Sequence, residues 1–199
     1  MPDQAVDHPT AISDRELVCL CQGKIGSIRG RRDRQSFRIL YRRYHQKVRS
    51  TLYQLCGVAL LDDLVQEVFL KAWQGLPRLK NPDYFATWLY RITWNVATDQ
   101  RRRFAKQMTL ITGLEAQIGA VTDPRPEGLG QIYYQDLVQR GLQSLSLEHR
   151  AVLVLHDLKD LPQKEVAEIL GIPPGTVKSR LHHARRSLRQ FLETQGVSL

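Results

Sequence analysis

The last predicted helix presents polar and cationic side chains that suit recognition of base edges. At about 100° per residue from Pro174, its apolar residues gather on one arc, and hydroxyl, imidazole, ammonium and guanidinium groups gather on the opposite arc. Such groups hydrogen-bond to bases and phosphates in the major groove of duplex DNA. The residues expected to make these contacts are Thr176, Lys178, Ser179, Arg180, His182, His183, Arg185 and Arg186.

A second set of residues interleaves aromatic rings with arginines along residues 84–102. A helical wheel places this set opposite an apolar stripe, facing solvent. Exposed rings are costly unless something stacks on them, and a single-stranded base does so at about 1–3 kcal/mol. The members are Tyr84, Thr87, Tyr90, Arg91, Trp94, Arg101 and Arg102. The alternative is that Tyr84, Tyr90 and Trp94 pack against another helix.

Covalent and metal chemistry are not indicated by any spacing in the chain. The sequence lacks a nucleophile–base arrangement, a metal-spaced ligand cluster and a phosphate-binding glycine loop. Cys19 and Cys21 could be half of a metal site, but no second pair of ligands follows them. The chain has three cysteines, and this odd number argues against a disulfide framework. We therefore expect no enzymatic activity, no metal and no cofactor, and a reducing compartment.

Positive charge is concentrated rather than spread along the chain. The formal net charge is +9, and residues 29–49 hold nine basic residues against one acidic residue. Two further basic clusters lie at 101–106 and 178–189. This pattern is typical of a polyanion binder, whereas a single basic cluster could equally be a solvated helical face.

The elements that position these residues are predicted to be all-α and to form two small helical domains joined by a flexible linker. Apolar residues recur at helical spacing from Leu61 to Trp73 and again from Phe85 to Val96. Residues 107–131 break this pattern with glycines and prolines, which predicts the linker. The expected organisation is a disordered tail at 1–11, a first domain at 12–106, the linker, and a second domain at 132–199.

The second domain is expected to contain a helix-turn-helix. Ser146 is a suitable N-cap for a helix over 147–158, and Pro162 can start a short helix that ends at Leu170. A tight turn at 171–173 then leads into the basic final helix. The chain has no apolar run long enough to cross a membrane and no signal-peptide pattern at its start, so we expect a cytoplasmic protein.

Three motifs together resemble the extracytoplasmic-function (ECF) sigma factors of bacteria. The stretch KDLPQKEVAEILGIPPGTVKSRLHHARRSLRQFL looks like region 4.2 of that family. Residues 62–73, DDLVQEVFLKAW, look like region 2.2, and ATWLYRI at 86–92 followed by Asn95 looks like region 2.3 running into region 2.4. The motifs occur in the order and spacing of the family.

The resemblance implies a role for each set of residues. The final helix would read the −35 element of a promoter as duplex, and the aromatic set would grip and melt the −10 element, with Asn81 in the preceding loop contacting a flipped base. Region 2.2 would bind the clamp coiled coil of the polymerase β′ subunit, and the partners within the RNA polymerase core would be its β and β′ subunits. That role falls on Asp62, Asp63, Gln66, Glu67 and Leu70. These acids could otherwise be solubilising charges.

The family resemblance also implies partners and a location. They are RNA polymerase core, promoter DNA and an anti-sigma factor that covers both domains, in the cytoplasm and on the nucleoid when polymerase is bound. Departures from the family pattern occur at residues 161–163 and at the pair His182 and His183, which replaces a bulkier or basic pair. The alternative function is a dimeric helix-turn-helix transcriptional regulator that binds duplex operators and needs no exposed aromatic residues.

Overall fold

The computed structural model describes residues 12–23, 33–112 and 130–197, with side chains in 12–23, 33–106 and 135–197. All secondary structure within these ranges is helical, which confirms the all-α prediction. The proposed tail at 1–11 and residues 113–129 of the proposed linker lie outside the described residues. Within the described residues no helix is both long and apolar enough to span a membrane.

Four helices form the first part of the chain. They are α1 (Asp14–Cys21), α2 (Arg34–Cys56), α3 (Leu61–Gly75) and α4 (Phe85–Thr112), with short 3-10 turns at Leu76–Arg78 and Pro82–Tyr84. Helix α4 continues to Thr112, so the linker proposed from residue 107 begins inside this helix.

Helix α1 has no counterpart in the sequence prediction, although its start carries a recognisable signal. The Ser13 side chain accepts a hydrogen bond from the backbone N–H of Glu16, and the Glu16 carboxylate accepts one from the backbone N–H of Ser13. This capping box satisfies two backbone donors at the helix start. The S-x-x-E spacing at 13–16 could have revealed the helix.

The second part of the chain also contains four helices. They are α5 (Gly130–Ser144), α6 (Leu147–Leu153), which continues as a π-helical turn at Val154–Leu158, α7 (Gln163–Leu170) and α8 (Pro174–Thr194). The Ser146 side chain caps α6 by accepting from the His149 backbone N–H, as predicted. Pro162 is the N-cap residue of α7, and Pro174 is the first residue of α8.

The apolar stripes read from the sequence form the hydrophobic core. Leu64, Val68 and Ala72 of α3 are buried, and so are Leu40 and Val48 of α2. The core continues without interruption into the second part of the chain, because α7 packs on α4 and both α5 and α6 pack on α2. This packing between the two groups of helices was not predicted.

Candidate nucleic-acid interface

The turn between α7 and α8 has the geometry of a helix-turn-helix. Gly171 ends α7 in the left-handed region at φ 67°, where a side chain would introduce strain. The backbone N–H of Ile172 donates to the Ala167 carbonyl at 3.1 Å, which satisfies one of the last carbonyls of α7. Pro173 and Pro174 then set the entry into α8. The turn therefore sets the angle between α7 and α8.

Helix α8 buries one face and exposes the other, as the wheel predicted. Val177, Leu181 and Ala184 are almost fully buried against the preceding helices. On the outward face Lys178, Ser179, His182, His183 and Arg186 are exposed, while Thr176 and Arg180 are half-buried. The structure thus brings the predicted duplex-contacting residues together on one accessible helix face.

One member of this set, Arg185, forms an ion pair within the chain. Its Nε lies 2.8 Å from Asp157 Oδ2 and its Nη2 lies 2.6 Å from Asp157 Oδ1, a two-point contact between α8 and the π-helical turn. This hydrogen bond raises the pKa of Arg185 above its ordinary value. Asp157 was not singled out from the sequence, because nothing in the spacing shows which acid faces the final helix. The contact ties α8 to the body of the domain.

The aromatic face formed by α4 and the 3-10 turn before it is only partly as predicted. Tyr84 is 54% exposed, Trp94 is half-buried, and Arg101 and Arg102 are exposed. The expectation that Tyr90 faces solvent is wrong, because its side chain is 7% exposed and belongs to the core.

The physical reason for the burial of Tyr90 is the width of the buried face. Thr93 and Ala97 are fully buried on the same side of the helix as Tyr90. The buried arc of α4 is therefore wider than the single stripe from which the wheel was drawn. Burial raises the pKa of the Tyr90 hydroxyl.

Helix α7 packs against part of the same face of α4, where Thr87 is half-buried and Arg91 remains exposed. The Arg91 guanidinium donates to the backbone carbonyl of Glu168, with its Nε at 3.1 Å. The Thr87 hydroxyl lies 3.5 Å from the Glu165 carboxylate. Thr87 and Arg91 are thus in contact with the helix-turn-helix unit in this structure.

The loop before α4 is held by Gln22, the residue that follows the end of α1. The Gln22 side-chain amide donates to the carbonyls of Leu76 and Leu79, both at 2.8 Å. The Asn81 side chain accepts from the Asp83 backbone N–H at 3.1 Å and caps the turn that leads into α4. Gln22 is a positioning residue that the sequence did not reveal.

The acidic face of α3 is exposed at four of its five predicted positions. Asp62, Asp63, Gln66 and Leu70 are exposed, Leu70 at 57%. Glu67 is half-buried and bonds Lys71 at 2.8 Å, with Arg103 at 3.6 Å.

These contacts lower the pKa of Glu67, chiefly through the Lys71 hydrogen bond. Asp62 also has an internal partner, Arg49. Basic residues of the chain itself therefore neutralise part of this acidic face. No group of three or more metal-ligating side chains occurs within the described ranges.

Comparison with known proteins decides the family. Residues 40–107 match the model "Sigma-70 region 2" and residues 135–188 match "Sigma-70, region 4". The chain is 31% identical over 159 residues to RNA polymerase sigma factor YlaC of Bacillus subtilis, and the match covers 79% of this chain and 92% of that protein. It is 35% identical over 159 residues to ECF RNA polymerase sigma factor SigE of Mycolicibacterium smegmatis, covering 77% of this chain but 60% of that relative's length.

The chain belongs to the ECF RNA polymerase sigma factors. The fold agrees, since the structure of CnrH in complex with the cytosolic domain of CnrY superposes with a TM-score of 0.67 at 23% identity, covering 91% of this chain and 97% of that chain. This sigma factor thus acts with RNA polymerase and promoter DNA in transcription initiation, and the region 2 and region 4 models fall on the two groups of helices described above.

Proposed function

We propose that this sigma factor reads the −35 element as duplex with the outward face of α8. The observation that carries this proposal is the exposed row of Lys178, Ser179, His182, His183 and Arg186 on the second helix of a helix-turn-helix. Side chains of these types reach base edges and phosphates in a major groove. Thr176 and Arg180 border the row. Arg185 is proposed to hold α8 in place through Asp157, and any DNA contact it makes would go to phosphate.

We further propose that the loop before α4 and the accessible face of that helix bind the single strand of the −10 element. Tyr84 is the exposed ring on which a base can stack, and Asn81 lies in the loop that would receive a flipped base. The other members proposed for this face are Thr87, Arg91, Trp94, Arg101 and Arg102. Tyr90 is excluded from the face because it is buried.

The α3 face is the proposed docking site for core polymerase. Asp63, Gln66 and Leu70 offer an exposed acidic and apolar surface on one helix, and Asp62 and Glu67 would exchange their internal partners for polymerase cations. No reaction is assigned to the sigma factor itself. Base stacking and phosphate contacts would offset the cost of unpairing. We place this activity in the cytoplasm and, with polymerase bound, on the nucleoid.

An anti-sigma factor is the further partner that we propose. A solved sigma factor, RpoE of Bartonella quintana, is held in complex with the anti-sigma factor NepR, and this chain superposes on that RpoE with a TM-score of 0.66 at 24% identity. An inhibitor of that type would bind where it covers both DNA-reading faces.

A fluorescence anisotropy titration with labelled promoter DNA tests these assignments. The isolated protein should bind the promoter weakly, and addition of core polymerase should strengthen binding. Binding by the isolated protein that is tight and unchanged by core polymerase would instead indicate the alternative, a helix-turn-helix regulator of duplex operators.

A further inference from the structure

A cavity of about 490 Å³ lies where the end of α2, the middle of α4 and the start of α6 meet. This volume falls within the range of protein pockets that hold small ligands. One buried side chain from each helix lines the cavity: Leu55, Ala97 and Leu147. Phe104 of α4 also lines it and is 60% exposed, although the proposed DNA-binding faces do not use this ring. The cavity therefore offers a largely hydrocarbon surface without an assigned role.

Two arginines line the same cavity. Arg101 of α4 is exposed, whereas Arg150 of α6 is only 4% exposed. Burial lowers the pKa of Arg150, and the nearby charge of Arg101 lowers this pKa further. Two like charges beside an apolar surface are unfavourable unless an anion compensates them.

The described part of the chain supplies no such anion. The Nη atoms of Arg150 donate to three backbone carbonyls, and its buried Nε has no hydrogen-bond partner. None of the described residues that line the cavity is acidic. Among the ion pairs of the described residues, none includes Arg101 or Arg150.

Cys56 is the remaining group at the cavity that could carry a negative charge. Its thiol is half-buried and lines the cavity. Burial raises the pKa of Cys56, and the smaller opposing effects of Arg150 and Arg101 do not cancel this rise. The thiol is therefore neutral near pH 7 and leaves the two guanidinium charges uncompensated.

We propose that this cavity binds a small amphiphilic acid, with its hydrocarbon chain against Leu55, Ala97 and Phe104 and its carboxylate beside Arg101, within the field of Arg150. The planar guanidinium matches a carboxylate at two points, and arginine is weakly hydrated enough to pair with one beside apolar groups. A neutral or cationic amphiphile of the same length would leave the arginine charges unpaired. The proposed site goes beyond the DNA-binding role of the sigma factor and shares only Arg101 with it.

Isothermal titration calorimetry on the full chain near pH 7 tests the site with decanoate as the probe. Decanol and decyltrimethylammonium carry the same hydrocarbon chain and serve as neutral and cationic controls, each used below the concentration at which it aggregates. We expect saturable binding of decanoate at a single site per chain, weaker binding of decanol and still weaker binding of the cation. Absence of saturable decanoate binding would overturn the proposal in favour of a protein segment as the occupant. Equal binding of decanoate and the cation would overturn it too.

A substitution at the rim of the cavity locates the bound probe. Ala59 is exposed and lines the cavity, so the ring of Ala59→Trp would fill the space. The matched control is Val58→Trp, at a neighbouring position that is 73% exposed and not among the lining residues. Ala59→Trp should weaken decanoate binding by roughly tenfold, the loss expected when about two methylene groups are no longer buried. Circular dichroism melting checks folding, and a folded Ala59→Trp protein with wild-type affinity would overturn the proposal.

A pair of arginine variants tests the charge. Arg101→Gln should weaken decanoate binding by roughly tenfold through the loss of one charge-assisted hydrogen bond, and should leave decanol binding unchanged. Arg102→Gln removes the same charge from an exposed position of α4 that does not line the cavity, and should have no effect. Equal weakening by both substitutions would indicate a general charge effect and overturn the site. Because calorimetry measures decanoate and not DNA, failure of this proposal leaves the proposed function intact, and failure of run-off transcription leaves the acid site intact.

Discussion

At the scale of single residues, exposure and internal partners distinguish side chains that can contact DNA from side chains that hold the fold. Arg185 and Arg186 are neighbours on α8, yet Arg185 is bonded at two points to Asp157 whereas Arg186 is exposed on the outward face. The sequence placed both in the DNA-contacting set. The structure gives them different expected phenotypes.

Arg185→Ala is expected to destabilise the second domain by about 1 kcal/mol, the scale of a partly exposed two-point ion pair. Asp157→Ala should have a similar effect, and the double variant should be less destabilised than the sum of the two, because both substitutions remove one interaction. Urea denaturation measures all three. Strict additivity would show that the pair does not interact in solution.

Arg186→Ala is the matched variant for an exposed neighbour that we propose to contact DNA. This variant should leave the urea midpoint unchanged and weaken binding of a −35 duplex. If Arg186 contacts a phosphate, the slope of log affinity against log salt concentration should decrease in magnitude by about one. Anisotropy at several salt concentrations gives this slope. An Arg186→Ala protein that binds as tightly as wild type would remove Arg186 from the interface.

Tyr84 and Tyr90 offer a second residue-scale comparison. Tyr84→Ala should keep the melting temperature and reduce promoter opening with core polymerase by roughly tenfold or more, since one stacked base contributes about 1–3 kcal/mol. Tyr90→Ala should instead lower the melting temperature, because it leaves a cavity in the core. Permanganate reactivity of −10 thymines measures opening. Equal loss of opening and stability in both variants would contradict the assignment.

At the scale of the element, helical periodicity predicted most of the structure. The stripes of α3 and α8, the Ser146 cap and the turn at 171–173 follow from local sequence, because caps, glycines and 3.6-residue spacing act within one helix. The burial of Tyr90 does not follow from one helix, since it depends on how many neighbours pack around α4. Helix α1 was missed although its capping box was present.

Helix α3 gives an element-scale prediction for pH. The Glu67 carboxylate has a pKa below its ordinary value because it accepts from Lys71. A carboxylate whose folded-state pKa is lowered adds stability above its unfolded pKa, near 4.3, and this stability is lost as pH falls through the folded pKa. Glu67→Gln should therefore be less stable than wild type at neutral pH and lose that difference in acid. Thermal melts from pH 7 to pH 3 test the trend, and a constant difference would contradict it.

At the scale of the whole molecule, the arrangement of the two helix groups could not be predicted from the sequence. Periodicity identifies which face of each helix is apolar, but the packing of α7 on α4 and of α5 and α6 on α2 depends on surfaces from distant parts of the chain. The buried Arg150 illustrates this, because its acceptors include the Leu55 carbonyl, 95 residues away. Most residues of the candidate DNA-reading faces could therefore be placed from the sequence, although Tyr90 could not, and the packing between the two helix groups could not be predicted.

We propose that this chain gives RNA polymerase its promoter specificity through two separated DNA contacts. Run-off transcription with bacterial core polymerase on a randomised promoter library is the decisive experiment. Transcripts should appear only when the chain is present, from templates that share two short sequence blocks at the −35 and −10 positions. Core polymerase that binds the chain but yields no such transcripts, or templates enriched for a single duplex block, would contradict it.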